Sequence, residues 1–162
     1  MAWKKGGSVK DYYLYVVIFA VILSIIVLPL GKLAPLDEPR VYAYDGHYYD
    51  LGIPVGISFS AFILLMIFII SGIIFWGTGN IWYNVIIDSS ALAFIFMNYL
   101  NYYIIWEVFK PHITFFPFLV EIIYNNSKAL QVDMGQIVLV IFLYRLYKNI
   151  KKPRPLSGAD KQ

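Results

Sequence analysis

Residues 57–76 form a run of 20 residues without a single charged side chain. As a helix rising about 1.5 Å per residue, such a run crosses the roughly 30 Å hydrocarbon core of a bilayer. Three further apolar stretches accompany it. Residues 12–30 and 82–106 are of comparable length, and residues 134–150 make a shorter one that carries Arg145 and Lys148 near its end. A chain of 162 residues that is 60% hydrophobic and 14% charged has more apolar surface than one small core can hide. Lipid solvates the excess, so the chain reads as an integral membrane protein.

The expected architecture is an all-α membrane protein: a four-transmembrane-helix bundle with a small extracytoplasmic β-hairpin and an interfacial helix. Its boundaries follow from the pattern. A basic N-terminus covers 1–11, and the four spans cover 12–30, 57–76, 82–106 and 134–150. An outer loop at 31–56 holds the hairpin, an inner turn covers 77–81, a second outer loop covers 107–133, and a basic tail covers 151–162. The first span is longer than the apolar region of a typical signal peptide and is followed by Gly31, Lys32 and Leu33 rather than a small-residue cleavage site. It therefore reads as a retained helix.

Two details refine the loops. Asp45-Gly46 lies between Val41-Tyr42-Ala43-Tyr44 and His47-Tyr48-Tyr49-Asp50, the signature of a tight hairpin. In the second loop Pro117 suits a first helical turn. Glu121, Asn125 and Lys128 then follow at i, i+4, i+7, opposite Phe118, Leu119, Ile122, Ile123 and Leu130. That spacing predicts a helix lying in the interface plane, with a re-entrant segment as the alternative.

Charge sets the orientation. Lys4, Lys5 and Lys10 precede the first span, and Arg145, Lys148, Lys151, Lys152 and Arg154 close the fourth. An even number of spans puts both basic termini on one side, and the positive-inside rule makes that side cytoplasmic, in a cell membrane. Tyr12, Tyr13, Tyr15, Trp76, Trp82 and Tyr83 mark the inner boundary, and Tyr102, Tyr103 and Trp106 the outer one. Arg145 and Lys148 are expected to snorkel to the headgroups.

Chemistry is sparse. Without cysteine there are no disulfides, thiolate metal sites or thiol nucleophiles. His47 and His112 both fall in outer loops, which excludes haem held between facing helices of this chain. A surface metal site from His47, Asp45, Asp50 and His112 is not required by any spacing. Glu107, Glu121 and Asp133 read as ordinary interfacial carboxylates. Asn125-Asn126-Ser127 matches the glycosylation tripeptide, a weak signal so close to a membrane. No phosphate-binding glycine motif or nucleophile elbow occurs. No cofactor and no nucleic-acid partner is expected.

The sharpest candidate is a stripe along the third span: Asn84, Asp88, Ile95, Asn98, Tyr99, Tyr102 and Trp106. An ionisable residue at depth, here Asp88, is a default functional hypothesis. Polar stripes more often act as interhelical hydrogen-bond glue, and Ser58, Ser60, Ala61, Ser71 and Gly72 in the second span favour close helix approach. The expected function is thus a non-catalytic, accessory subunit of a multi-subunit membrane complex, for instance a respiratory or other energy-transducing oxidoreductase. Its expected partners are lipid and other membrane subunits. The alternatives are a small oligomeric transporter or channel using the polar face of the third span, and, with least support, a membrane enzyme acting on lipid or quinone. The Ile- and Tyr-rich, cysteine-free composition is also compatible with a heat-adapted microbial source.

Overall fold

The computed structural model describes residues 9–34, 40–42, 48–124 and 126–151. Four α-helices dominate it: α1 (Val9–Val27), α2 (Gly52–Phe75), α3 (Ile81–Phe109) and α4 (Met134–Lys151). Three segments are long and apolar enough to cross a membrane: Asp11–Leu33, which joins α1 to a 3-10 turn at Leu28–Leu33, together with α2 and α3. The protein is therefore a multi-pass membrane protein in its helical part.

Helix α3 is the hub, with α1, α2 and α4 packed around it. Its buried residues include Val85, Ile87, Ala91, Ala93, Phe94 and Met97, which meet Val16, Leu64, Phe68, Val138 and Phe142 from the other three helices. Much of the remaining apolar surface faces outward: Ile25, Phe62, Ile73, Ile74 and Phe96 are all more than half exposed. That inversion is what a lipid solvent permits. Tyr12 of α1, Asp88 of α3 and Arg145 of α4 meet at one end of the bundle, where Trp76 after α2 also lies. Successive helices therefore alternate in direction, and Val9 and Lys151 share that end.

At the opposite end the 3-10 turn that follows α1 packs closely on α2. Ser60 Oγ donates to the carbonyls of Val27 and Leu28 at 3.1 and 3.3 Å. Gly31 lies against Gly56, where a Cβ on Gly31 would intrude on the Gly56 carbonyl oxygen, whereas one on Gly56 would sit 3.4 Å from the Gly31 oxygen. The two glycines are thus not equivalent. Gly31→Ala is expected to destabilise by about 1–3 kcal/mol, because backbone must move. Gly56→Ala, in ordinary van der Waals contact inside a helix, is expected to be near neutral. Thermal unfolding of both variants in detergent checks the asymmetry, and equal losses would contradict it.

A hairpin forms where expected, but not in the register of a two-residue Asp45-Gly46 turn: β1 (Arg40–Tyr42) pairs antiparallel with β2 (Tyr48–Asp50), with Val41 opposite Tyr49 rather than Asp50, so five residues connect the strands. Asp45 and Gly46 themselves lie outside the described residues.

The interfacial helix does not form. Its place is taken by an antiparallel sheet of β3 (His112–Phe116), β4 (Leu119–Tyr124) and β5 (Ser127–Val132), in the order β3-β4-β5. The chain is accordingly helical with a small sheet rather than all-α. The reason is local. Phe116 pairs with Leu119 and Tyr124 with Ser127, so each connection is two residues long, Pro117-Phe118 in the first and Asn126 within the second. Phe118 (φ 63°) and Asn126 (φ 62°) adopt the left-handed conformation that ends a helix and suits a tight turn. In the strands flanking the first turn, β-branched and aromatic residues such as Ile113, Thr114, Phe115, Val120, Ile122 and Ile123 fit a pleated surface. Glu121 and Lys128, which a helix would place on one face, instead pair diagonally across adjacent strands at 2.5 Å.

Candidate functional site

The polar stripe of α3 divides into two clusters about 15 Å apart along the helix axis. At the end shared by Val9 and Lys151, Asp88 is almost wholly buried, and both of its oxygens are occupied. Arg145 Nε donates to Oδ1 at 2.5 Å, and the Tyr12 hydroxyl donates to Oδ2 at 2.6 Å. Arg145 Nη2 donates to Asn84 Oδ1 at 3.1 Å, and the guanidinium lies 4.9 Å from the Trp76 ring centre. Asn84 in turn donates to the carbonyls of Thr78 and Asn80, fastening the α2–α3 turn. Arg145 is thus turned inward, not out to the headgroups, because a buried carboxylate at the same depth offers a far better partner than the interface does.

The second cluster surrounds Asp133, which is completely buried at the N-terminus of α4. Its Oδ1 accepts from the Gly135 amide at 2.9 Å and from Asn98 Nδ2 at 3.2 Å. Oδ2 accepts from Gln136 Nε2 at 3.0 Å and from the Tyr99 hydroxyl at 3.3 Å. Asp133 is therefore a helix cap locked to α3, not an interfacial carboxylate. Gly135 lacks a Cβ where one would meet Asn98 Nδ2 at 2.5 Å. Just beyond, the Tyr102 hydroxyl accepts from Gln131 of β5 at 3.3 Å.

Between the clusters the stripe is apolar: Ala91 and Ile95 of α3 pack among Val138 and Phe142, all buried. The candidate residues Asn84 and Asp88 thus meet in one cluster and Asn98 and Tyr99 in the other, with Tyr102 beside the second. Trp106 is exposed and stacks a cation, Lys110 Nζ, 4.6 Å from its ring centre. Sequence reasoning missed Arg145 and Asp133. A mirror-depth argument finds the first, since Asp88 lies seven residues into α3 and Arg145 six from the end of the antiparallel α4.

Other candidates remain apart. Glu107 pairs with Lys110 at 3.2 Å on the surface. His112 Nδ1 lies 3.3 Å from Thr114 Oγ1, while His47 and Asn125 fall outside the described residues. Among the described residues no group of three His, Asp or Glu gathers to hold a metal. An apolar cleft of about 770 Å³ opens between the start of α2, the end of α3 and β4, lined by Leu51, Pro54, Phe59, Ile105, Phe109 and Ile122. Ser58 also lines it, its Oγ accepting from Asn101 Nδ2 at 2.7 Å.

No protein-family model matches the chain, and no curated protein or solved structure matches it either. The functional reading therefore rests on the two clusters and on the surfaces around them.

Proposed function

We propose that this protein is a non-catalytic subunit of a multi-subunit integral membrane complex, crossing a cell membrane four times with both ends cytoplasmic. The observation that carries the reading is the internal use of α3's polar groups. Asp88, Asn84, Asn98 and Tyr99 are all engaged by side chains of the same chain, and an apolar layer separates the two sets. A conducting pathway along this stripe would need polar groups at intermediate depth facing water. Engaged groups of this kind act instead as glue between helices.

Helix α4 supplies the fourth span in this reading. Its 18 residues rise about 27 Å, close to the hydrocarbon thickness, and its buried cation is neutralised by Asp88. Lys148 and Lys151 follow at the end shared with Val9, the side that the positive-inside rule assigns to the cytoplasm. The broad outward-facing apolar surface of α1 and α2 leaves room for lipid or for neighbouring subunits.

Native purification in mild detergent, followed by mass spectrometry, tests the proposal. Stoichiometric foreign membrane subunits are expected, with haem or flavin absorbance if the host is an energy-transducing oxidoreductase. Recovery of a pure homo-oligomer, together with an ion or solute flux abolished by Asp88→Asn, would replace it with the transporter reading.

A further inference from the structure

We propose that the β3–β4 turn, Phe116-Pro117-Phe118, inserts into the bilayer leaflet at the sheet end of the molecule and anchors the sheet to lipid.

The depth of the turn carries the argument. The 29 residues of α3 rise about 43 Å, whereas about 20 residues suffice to cross 30 Å of hydrocarbon. A hydrocarbon slab that begins as early as Ile81 ends near Asn101, and any shift of the slab toward Phe109 moves that edge further out. Phe115 of β3 packs on Tyr99 and Tyr102, with ring centres 6.2 and 5.7 Å apart. At its other end the sheet reaches the last residue of α3, where Phe109 meets Tyr124 at 6.2 Å. From Phe115 the strand therefore continues away from Phe109 and toward the membrane centre, at about 3.3 Å per residue. The turn thus lies at or inside the level of Tyr99. The same depth follows from α4, since Gln136 touches the turn while Asp133, three residues earlier, binds Asn98 and Tyr99.

Its chemistry fits that depth. Phe115, Phe116 and Phe118 are 44–50% exposed, and Val132 and Met134 beside them are exposed as well. The opposite turn, by contrast, carries Asn126, Ser127 and Lys128 toward solvent. Non-helical backbone is tolerated at membrane depth only where its polar groups are satisfied by protein. Here they are. The Phe118 amide donates to Gln136 Oε1 at 2.9 Å, the Phe116 carbonyl accepts from Gln136 Nε2 at 3.0 Å, and the Phe118 carbonyl accepts from the Asp133 amide at 2.9 Å. Pro117 has no N–H to satisfy. A sheet edge suited to water alone would need neither the three rings nor this strapping.

The cysteine-free sequence makes the test direct. Phe118→Cys and Ser127→Cys are each labelled with a nitroxide, reconstituted into phosphatidylcholine vesicles as the full chain, and examined by power-saturation electron paramagnetic resonance. Molecular oxygen and a water-soluble nickel chelate serve as relaxing agents. At position 118 the collision rate with oxygen is expected to exceed that with nickel several-fold, and at position 127 the order is expected to reverse. Phe116→Cys provides a second probe of the same turn should the first variant misfold. Nickel access at 116 and 118 equal to that at 127 would overturn the proposal. Shielding of both positions from oxygen and nickel alike would also overturn it, because protein rather than lipid would then cover the turn.

Discussion

Arg145→Met is expected to destabilise the protein by about 3–5 kcal/mol, the cost of leaving a buried carboxylate without its cation. Asp88 would keep only the Tyr12 hydroxyl, at a site with almost no access to water. Asn84 would lose its guanidinium partner at the same time. Removing both charges, Asp88→Leu with Arg145→Met, is expected to recover most of the loss, since well-packed apolar side chains replace a buried ion pair at little net cost. The recovery stays incomplete because the Tyr12 hydroxyl then lacks an acceptor. Unfolding by sodium dodecyl sulfate in mixed micelles, followed by tryptophan fluorescence, reads these two variants and Asp88→Leu alone, and gives the coupling energy by a double-mutant cycle. An Arg145→Met protein as stable as its parent would mean that the arginine reaches the headgroups after all.

Asp133→Ala is expected to cost about 2–4 kcal/mol. Loss of a helix cap accounts for about 1 kcal/mol, and stranding the half-buried donors of Asn98, Tyr99 and Gln136 accounts for the remainder. Asp133→Asn is expected to cost less, because an amide oxygen can still accept from the Gly135 N–H. The loss should be concentrated where α4 begins. Hydrogen exchange of the Gly135 and Gln136 amides should accelerate more in the alanine variant than exchange in the middle of α2. Uniform acceleration through the whole protein would contradict a local clasp. Because Asp133 also donates its amide to the β3–β4 turn, the same residue ties the sheet to the helices.

The two clusters explain how so apolar a bundle acquires a single arrangement. Between helices in lipid, apolar contact discriminates poorly, since tails solvate leucine as well as another helix does. Tyr12, Asp88 and Arg145 bind three helices at one end, and Asn98, Tyr99 and Asp133 bind two at the other. With α4 antiparallel to α3, a slip of one turn would separate both sets of partners at once. That consequence suits the role proposed above, in which the protein presents fixed surfaces to other subunits.

The apolar runs at 12–30, 57–76 and 82–106 were legible because length and hydropathy are local quantities that a bilayer reads directly. That a hairpin forms between residues 40 and 50 was legible for a similar reason, as the strands carry the pattern in consecutive residues, but its register, with Val41 opposite Tyr49, was not. The sheet at His112–Val132 was misjudged because Glu121, Asn125 and Lys128 satisfy a helical repeat by chance. The competing signal was present in two turn pairs, Pro117-Phe118 and Asn125-Asn126, set at strand-length spacing among β-branched and aromatic residues.

The stripe from Asn84 to Tyr102 was visible as a periodicity on one helix, but its division into two clusters was not. Which groups answer it depends on Arg145 lying 57 residues from Asp88, and on Asp133 lying 35 from Asn98. By itself the sequence determined which segments lipid can solvate, since that depends on each segment's own length and polarity. Only the tertiary structure decided which buried charges meet, because their pairing depends on helix order, rotation and register, and those are settled by many weak contacts distributed along the whole chain.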